Sequence, residues 1–305
     1  MAVDRVLVSP EQSAPVGTGF TLCYQTFGDP GDAPLILVMG LGGPMTWWDE
    51  RLCRLLAAKG FFVVRFDNRD TGRSTKLSDA VARGQLVRGF LGRPMSAPYS
   101  LADLATDAFG LMDHLGLNSG HVAGLSMGGM IAQTMAIGSP GRVRSLTSMM
   151  STTGRRRVGW QHPSLAPTLL APRAAGRTAY VDASAKLWRQ IGSPGFPADP
   201  ERVRARAEET YDRGFDAAGV IRQMAAIVSQ PDRTEDLRRL SLPAVVIHGK
   251  ADKMVHVSGG IATHAALRNS ELMLIDGLGH DLPPVLFDTF AAAVRRTADR
   301  AGHNA

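Results

Sequence analysis

The chain has 305 residues, 44% of them hydrophobic and 20% charged, with a formal net charge of +6. That suffices for one large buried core with a modest insertion and excludes a disordered or fibrous chain. No apolar run approaches the ~20 residues that span a bilayer, and Met1-Ala2-Val3-Asp4-Arg5 lacks the basic start and apolar stretch of a secretion signal, so a cytoplasmic location is expected.

The positive charge comes mostly from arginine, since lysine occurs only at positions 59, 76, 186, 250 and 253. The one basic cluster, Arg155-Arg156-Arg157, reads as a solvated face, and no nucleic-acid partner is expected. Cys23 and Cys53 lack metal-type spacing and read as reduced core thiols.

In chain order, Val3 to Val8 and Phe20 to Phe27 predict an opening antiparallel strand pair, joined through Gly17-Thr18-Gly19. Leu35-Ile36-Leu37-Val38-Met39 is a continuous apolar run, as in a strand buried on both faces, and it ends in Gly40-Leu41-Gly42-Gly43. Thr46 can cap a helix whose Trp48, Leu52, Leu55 and Leu56 share one face, and Gly60 ends it. Phe61 to Phe66 is the next strand, leading into Asp67-Asn68-Arg69-Asp70-Thr71-Gly72-Arg73-Ser74, a tight polar turn read as scaffold beside a site.

Arg83 to Tyr99, with Phe90, Leu91 and Met95 among glycines and prolines, reads as an irregular stretch, a flap or a long loop. Ser100 with Asp103 three residues on begins a helix with Leu101, Leu104, Ala108, Leu111 and Leu115 as its buried stripe. Met127 to Ile137 and Val143 to Met149 predict a helix and a strand. From Thr152 to Leu240 strand signals stop; helices are expected over Tyr180 to Ile191 and Glu201 to Ser229, divided by Gly192-Ser193-Pro194-Gly195-Phe196-Pro197. Two late strands follow, Pro243 to Gly249 and Glu271 to Ile275.

The chemistry centres on Gly124-Leu125-Ser126-Met127-Gly128, fed by the strand-like His121 to Ala123 and followed by the helix from Met127. A serine raised on a sharp strand-to-helix turn needs small neighbours, which Gly124, Gly128 and Gly129 supply. Its hydroxyl is a poor nucleophile until a base takes its proton, and an acid must hold that base in the useful tautomer. His280, in the glycine-flanked loop after the last strand, is the candidate base. Asp252, in the loop after the Pro243 to Gly249 strand, is the candidate acid, with Asp276 and Asp281 as competitors. His248 reads as packed at a strand end, His114 and His121 flank a helix-to-strand turn, and His162, His256, His264 and His303 have no matching context.

These residues, with Met39-Gly40-Leu41-Gly42, Asp67 to Ser74 and Gly279-His280, resemble the α/β-hydrolase superfamily. Within it the chain is most similar to the aclacinomycin methylesterase group and related small carboxylesterases and lipases. Met39 before Gly40, where many relatives have His, and Asp70 after Arg69, where many have Gly, point to that subgroup. The resemblance covers residues 20 to 150 and 240 to 290 and is thin between them. It implies an α/β fold: a mostly parallel eight-stranded sheet flanked by helices, with a helical lid between strands six and seven. The core is then 1–151 and 241–305 and the lid 152–240.

The resemblance further implies Ser126, Asp252 and His280 as catalytic residues, with the backbone N–H groups of Met127 and Leu41 as the oxyanion hole. No cofactor or metal is expected. Substrate contacts are expected from Trp47, Trp48, Leu187, Trp188 and Leu278, with Trp160, Leu169, Leu170, Phe215 and Met224 as further lid candidates, most of which would only pack the lid onto the core. The substrate class is a hydrophobic ester, either an acyl or lipid ester or the methyl ester of a polycyclic compound. Thioester or C–C hydrolysis by the same groups stays open, as does a non-hydrolytic receptor for small molecules.

Overall fold

In the computed structural model, residues 5–17, 19–170 and 176–302 are described. Eight strands form one sheet in the order β1-β2-β4-β3-β5-β6-β7-β8. They are β1 (Gln12–Val16), β2 (Phe20–Phe27), β3 (Ala33–Val38), β4 (Phe61–Phe66), β5 (Gly120–Leu125), β6 (Val143–Met149), β7 (Ala244–Gly249) and β8 (Ser270–Ile275). β2 runs antiparallel to β1 and β4, and every other pairing is parallel. The central strand β3 is apolar on both faces because both are covered. Leu35 and Leu37 of β3 belong to the cluster that holds Leu52, Phe287 and Phe290, whereas Ile36 and Val38 belong to the one that holds Leu104, Leu111 and Ile131.

Four helices flank the sheet early: α1 (Glu50–Ala58), α2 (Arg83–Phe90), α3 (Leu101–His114) and α4 (Met127–Gly138). Between β6 and β7 lie α5 (Ala166–Leu170), α6 (Arg177–Ile191), α7 (Pro200–Asp212), α8 (Ala217–Ser229) and α9 (Thr234–Leu237), followed after β7 by α10 (Ser258–Ala266) and α11 (Phe287–Gly302). Among the described residues no helix is long and apolar enough to cross a membrane.

The capping box of α3 forms as its sequence predicts: Ser100 Oγ accepts from Asp103 N, and the Asp103 carboxylate accepts from Ser100 N at 2.7 Å. Other expectations fail. The opening pair is β1 with β2; Val8 makes only an isolated bridge to Phe27, and residues 1–4 and Thr18 lie outside the described residues. β1 holds Pro15, which an edge strand accommodates because one side of its ladder is unpaired. The cap of α1 is Asp49, whose side chain accepts from Arg51 N, while Thr46 sits in a separate 3-10 turn. The 83–99 stretch contains a helix, α2, that packs on α8 at Gly89, where an added Cβ would lie 2.6 Å from Val228. Its Val87, Phe90 and Leu91 remain exposed, so no buried apolar stripe announced it. The 201–229 helix is two helices, broken at Gly214 with φ 105°.

Candidate active site

The ends of β3, β5, β7 and β8 meet at one edge of the sheet, where loops leave in a common direction. Ser126 is the hinge between β5 and α4, with φ 57° and ψ −118°, a left-handed conformation that a non-glycine residue adopts only when its surroundings enforce it. The enforcing contacts are close: a Cβ on Gly124 would lie 2.0 Å from Gly128 O, and one on Gly128 would lie 2.0 Å from Val38 O. Strand, turn and helix therefore approach as only glycine permits. The Ser126 N–H donates to Met149 O at 2.8 Å, and its carbonyl accepts from Ser151 Oγ at 2.8 Å.

His280 Nε2 lies 3.0 Å from Ser126 Oγ, and its Nδ1 lies 2.7 Å from Asp252 Oδ2. An ionised carboxylate only accepts, so Nδ1 carries the proton and Nε2 is left to take one from the hydroxyl. Asp252 is buried, and its Oδ1 accepts from Met254 N at 2.8 Å and Val255 N at 2.9 Å. Burial alone would raise this carboxyl. The charge of His280 and hydrogen bonds from His248 and His280 outweigh it and hold the group down to about 2. His248 is fully buried on the far side of Asp252, its Nε2 2.8 Å from Val255 O and 3.5 Å from Asp252 Oδ2.

The competitors stand elsewhere. Asp276 is exposed and pairs with Lys250 at 3.0 Å. Asp281 is buried, not solvated as a loop carboxylate would be; it accepts from Ser193 Oγ, and burial raises its pKa. Ser193 Oγ also accepts from Gly279 N at 2.9 Å, and Ile191 O accepts from His280 N at 2.7 Å. The loop after α6 thus laces the His280 loop in place. Cys23 and Cys53 are buried free thiols, each pushed up to about 12 chiefly by burial, which removes them as nucleophiles.

Beside the serine, the loop after β3 holds Gly40, where a Cβ would lie 3.2 Å from Ser126 Cβ. Leu41 follows in the turn, and Met127 opens α4 with an N–H that has no partner in the helix's own ladder. Trp47 and Trp188 meet edge to face at 5.2 Å, and the Arg206 guanidinium lies 4.1 Å from the Trp188 ring. Leu187 is half-buried next to Trp188 in α6. Trp48 and Leu278, expected at the substrate, are instead fully enclosed in the core cluster with Leu52 and Phe287, because α1 and α11 close over that face of the sheet. Trp160 is largely exposed and stacks on His256 at 4.1 Å, and Phe215 packs against Tyr180 at 4.2 Å. The side chains of Leu169 and Leu170, and His303, lie outside the described residues. A depression of about 740 Å³ lined by Ile137, Val143, Leu240 and Pro243 lies at the opposite end of β6 and β7 and contains none of these groups.

The alpha/beta hydrolase fold model matches residues 33–284. The chain belongs to the alpha/beta hydrolase fold family. It is 29% identical over 299 residues to rhodomycin D methylesterase DauP of Streptomyces sp. (strain C5), covering 90% of this chain and 93% of that protein. It is 25% identical to 3-oxoadipate enol-lactonase 2 of Acinetobacter baylyi over 90% of this chain and 93% of that protein. Among solved structures, a putative lipase from Acinetobacter baumannii superposes with a TM-score of 0.75 at 20% identity, covering 97% of this chain and 93% of the other. This family member is an enzyme, a hydrolase of the esterase kind.

The polar turn after β4 does more than its sequence announced. Asp67 accepts from Arg213 at 2.8 Å, and Asp70, at φ 67°, accepts from Arg222 at 2.8 Å and from Tyr99 at 2.7 Å. It is the clasp on which α8 and the end of α7 are docked. Ser151, Ser193 and His248 carry no sequence signal of their place here, since each makes its contact across a stretch that no local pattern encodes. Only the strand-end position of His248 hinted at its place.

Proposed function

We propose that the chain hydrolyses carboxylic esters with an apolar body through an acyl-enzyme. Ser126 attacks the ester carbonyl, His280 takes its proton and returns it to the leaving alcohol, and Asp252 orients the imidazole and stabilises its charged form. The N–H groups of Leu41 and Met127 receive the oxyanion. Water, activated by the same histidine, then releases the acid. The observation that carries this reading is the unbroken relay in which His280 touches both Ser126 Oγ and Asp252 Oδ2.

Residues 152–240 act as a lid over a core of 1–151 and 241–305, and the paired rings of Trp47 and Trp188, with Leu187, offer an apolar wall for the substrate. An edge-to-face pair of indole rings suits a ring system, and two relatives matched over 90% of this chain are named rhodomycin D methylesterases. Both support the methyl ester of a polycyclic acid over a long acyl chain. An intact relay counts against a receptor that only binds.

The test compares wild type with Ser126→Ala on p-nitrophenyl esters of increasing acyl length, read by p-nitrophenol release, and on the methyl ester of a polycyclic aromatic acid, read by methanol release. Turnover of the methyl ester, reduced on the order of a million-fold in the variant, is the expected result. Equal rates in the two proteins would end the mechanism. A steady gain with chain length would move the substrate to lipid esters.

A further inference from the structure

The turn Gly40-Leu41-Gly42-Gly43 is closed by Gly43 N–H donating to Gly40 O at 3.2 Å, and its third residue, Gly42, has φ 64°. A positive φ there is the mark of a type II turn; the type I alternative needs a negative φ and turns the Leu41–Gly42 peptide over. That peptide has one side-chain partner from far along the chain. Gly42 N–H donates to Gln223 Oε1 at 2.8 Å across 181 residues of sequence.

Gln223 has no freedom to let go. It is fully buried, and its Nε2 donates to Arg69 O and to Thr71 Oγ1, both at 2.8 Å. The amide's orientation is fixed by its neighbours, since Gly42 N–H can only donate and Arg69 O can only accept. One helical turn earlier, Val220 Cγ2 lies 2.9 Å from where a Cβ on Gly42 would sit. α8 therefore seats two side chains on the same glycine.

We infer that Gln223 is a positioning residue for the oxyanion hole: by anchoring Gly42 it fixes the turn on the C-terminal side of Leu41, so that the Leu41 N–H, carried by the preceding Gly40–Leu41 peptide, stays aimed at the ester oxygen. The inference rests on the reading of Leu41 as an oxyanion donor. Docking of α8 does not depend on it, because Arg222 already binds Asp70 of the turn after β4 at 2.8 Å. Without the amide the turn loses its anchor to α8, and the Gly40–Leu41 peptide that carries the donor is held in its aimed position for only part of the time. The loss then falls on the transition state, where charge sits on that oxygen, and spares the ground state.

The experiment measures kcat, KM and the affinity of an alkylboronic acid, which forms a tetrahedral adduct on the serine, for wild type, Gln223→Met and Thr71→Val. Thr71→Val removes one partner of the amide and leaves its bond to Gly42. Gln223→Met is expected to lower kcat on the order of 10- to 100-fold, with KM within about twofold and boronate affinity falling in step with kcat. Thr71→Val stays within about threefold. Wild-type kcat in Gln223→Met, a loss confined to KM, or unchanged boronate affinity overturns the inference and leaves Gln223 as a mere anchor.

Gln223→Glu supplies a pH readout. It keeps an acceptor for Gly42 but can donate to Arg69 only while protonated, so its kcat declines relative to wild type as pH rises. A constant ratio overturns the inference as well. Failure of the underlying ester hydrolase reading looks different: wild type itself then shows neither Ser126-dependent turnover nor boronate binding.

Discussion

The order of the chain makes Asp252 the candidate partner for His280 and leaves Asp276 and Asp281 as its nearest competitors. Geometry separates them by what each oxygen accepts. Asp252→Asn leaves the shape intact but forces the wrong tautomer on His280, and a fall in kcat of about 10⁴ is expected; Asp276→Asn, which breaks only an exposed pair with Lys250, should leave steady-state rates within about twofold. The reverse pattern would reassign the acid. The Asp252 carboxyl, held down to about 2, is ionised wherever a folded enzyme would be assayed. Its folded value lies below the ordinary ~3.9, so its stabilising contribution is complete above that value and is lost as pH falls toward 2. Activity lost on mild acidification must therefore come from another group. Ser126, Asp252 and His280 were legible because each follows a strand that announces itself. Gln223 and Ser193 were not, because their partners lie 181 and 88 residues away.

Among the elements, legibility followed burial. β4 and β6 begin and end where the sequence pattern places them, Phe61 to Phe66 and Val143 to Met149, and α3 starts at its capping box. Ser100→Ala should cost about 1 kcal/mol in a urea titration; no change would mean that the box is redundant with the packing of α3. α2 escaped because its apolar side chains face outward, and β1 because an edge strand need not be apolar on both faces. The clasp between α8 and the turn after β4 offers a sharper test. Arg222 and Asp70 are both buried, so Arg222→Ala strands a carboxylate and should destabilise by about 3–5 kcal/mol, whereas Arg222→Met with Asp70→Leu should recover most of that loss. Burial raises the Asp70 carboxyl, but hydrogen bonds from Arg222 and Tyr99 outweigh it and the net shift is downward. The clasp is therefore complete above the ordinary carboxylate range and weakens as pH falls below it. A double variant as unstable as the single one would show that the pair itself is not what holds α8.

At the scale of the whole molecule, the helical insert is fastened to the sheet at many separated points. Arg213 reaches Glu11 at 2.6 Å, Arg233 reaches Gln133 at 3.1 Å, and Trp47 Nε1 donates to Thr210 at 2.9 Å. Detaching the insert would uncover Asp67, Asp70 and Arg222 together, which is too costly to happen ahead of global unfolding. Indole fluorescence from Trp160 and Trp188 and far-ultraviolet dichroism of the whole chain should accordingly lose their native signals in one coincident transition. Separate midpoints would show that the insert opens by itself.

The same fastening bears on how specificity can be inherited. An insert transplanted from a relative brings new walls for the substrate, but its α8 must find a glycine at 42 to sit on and a carboxylate at 70 to grip, and the end of its α7 a carboxylate at 67, all more than 100 positions upstream. A recombination that moves the insert alone breaks that agreement even if every codon in it is sound. Ancestral exchanges that survived would have carried the early segment along, so the two stretches are expected to share one genealogy.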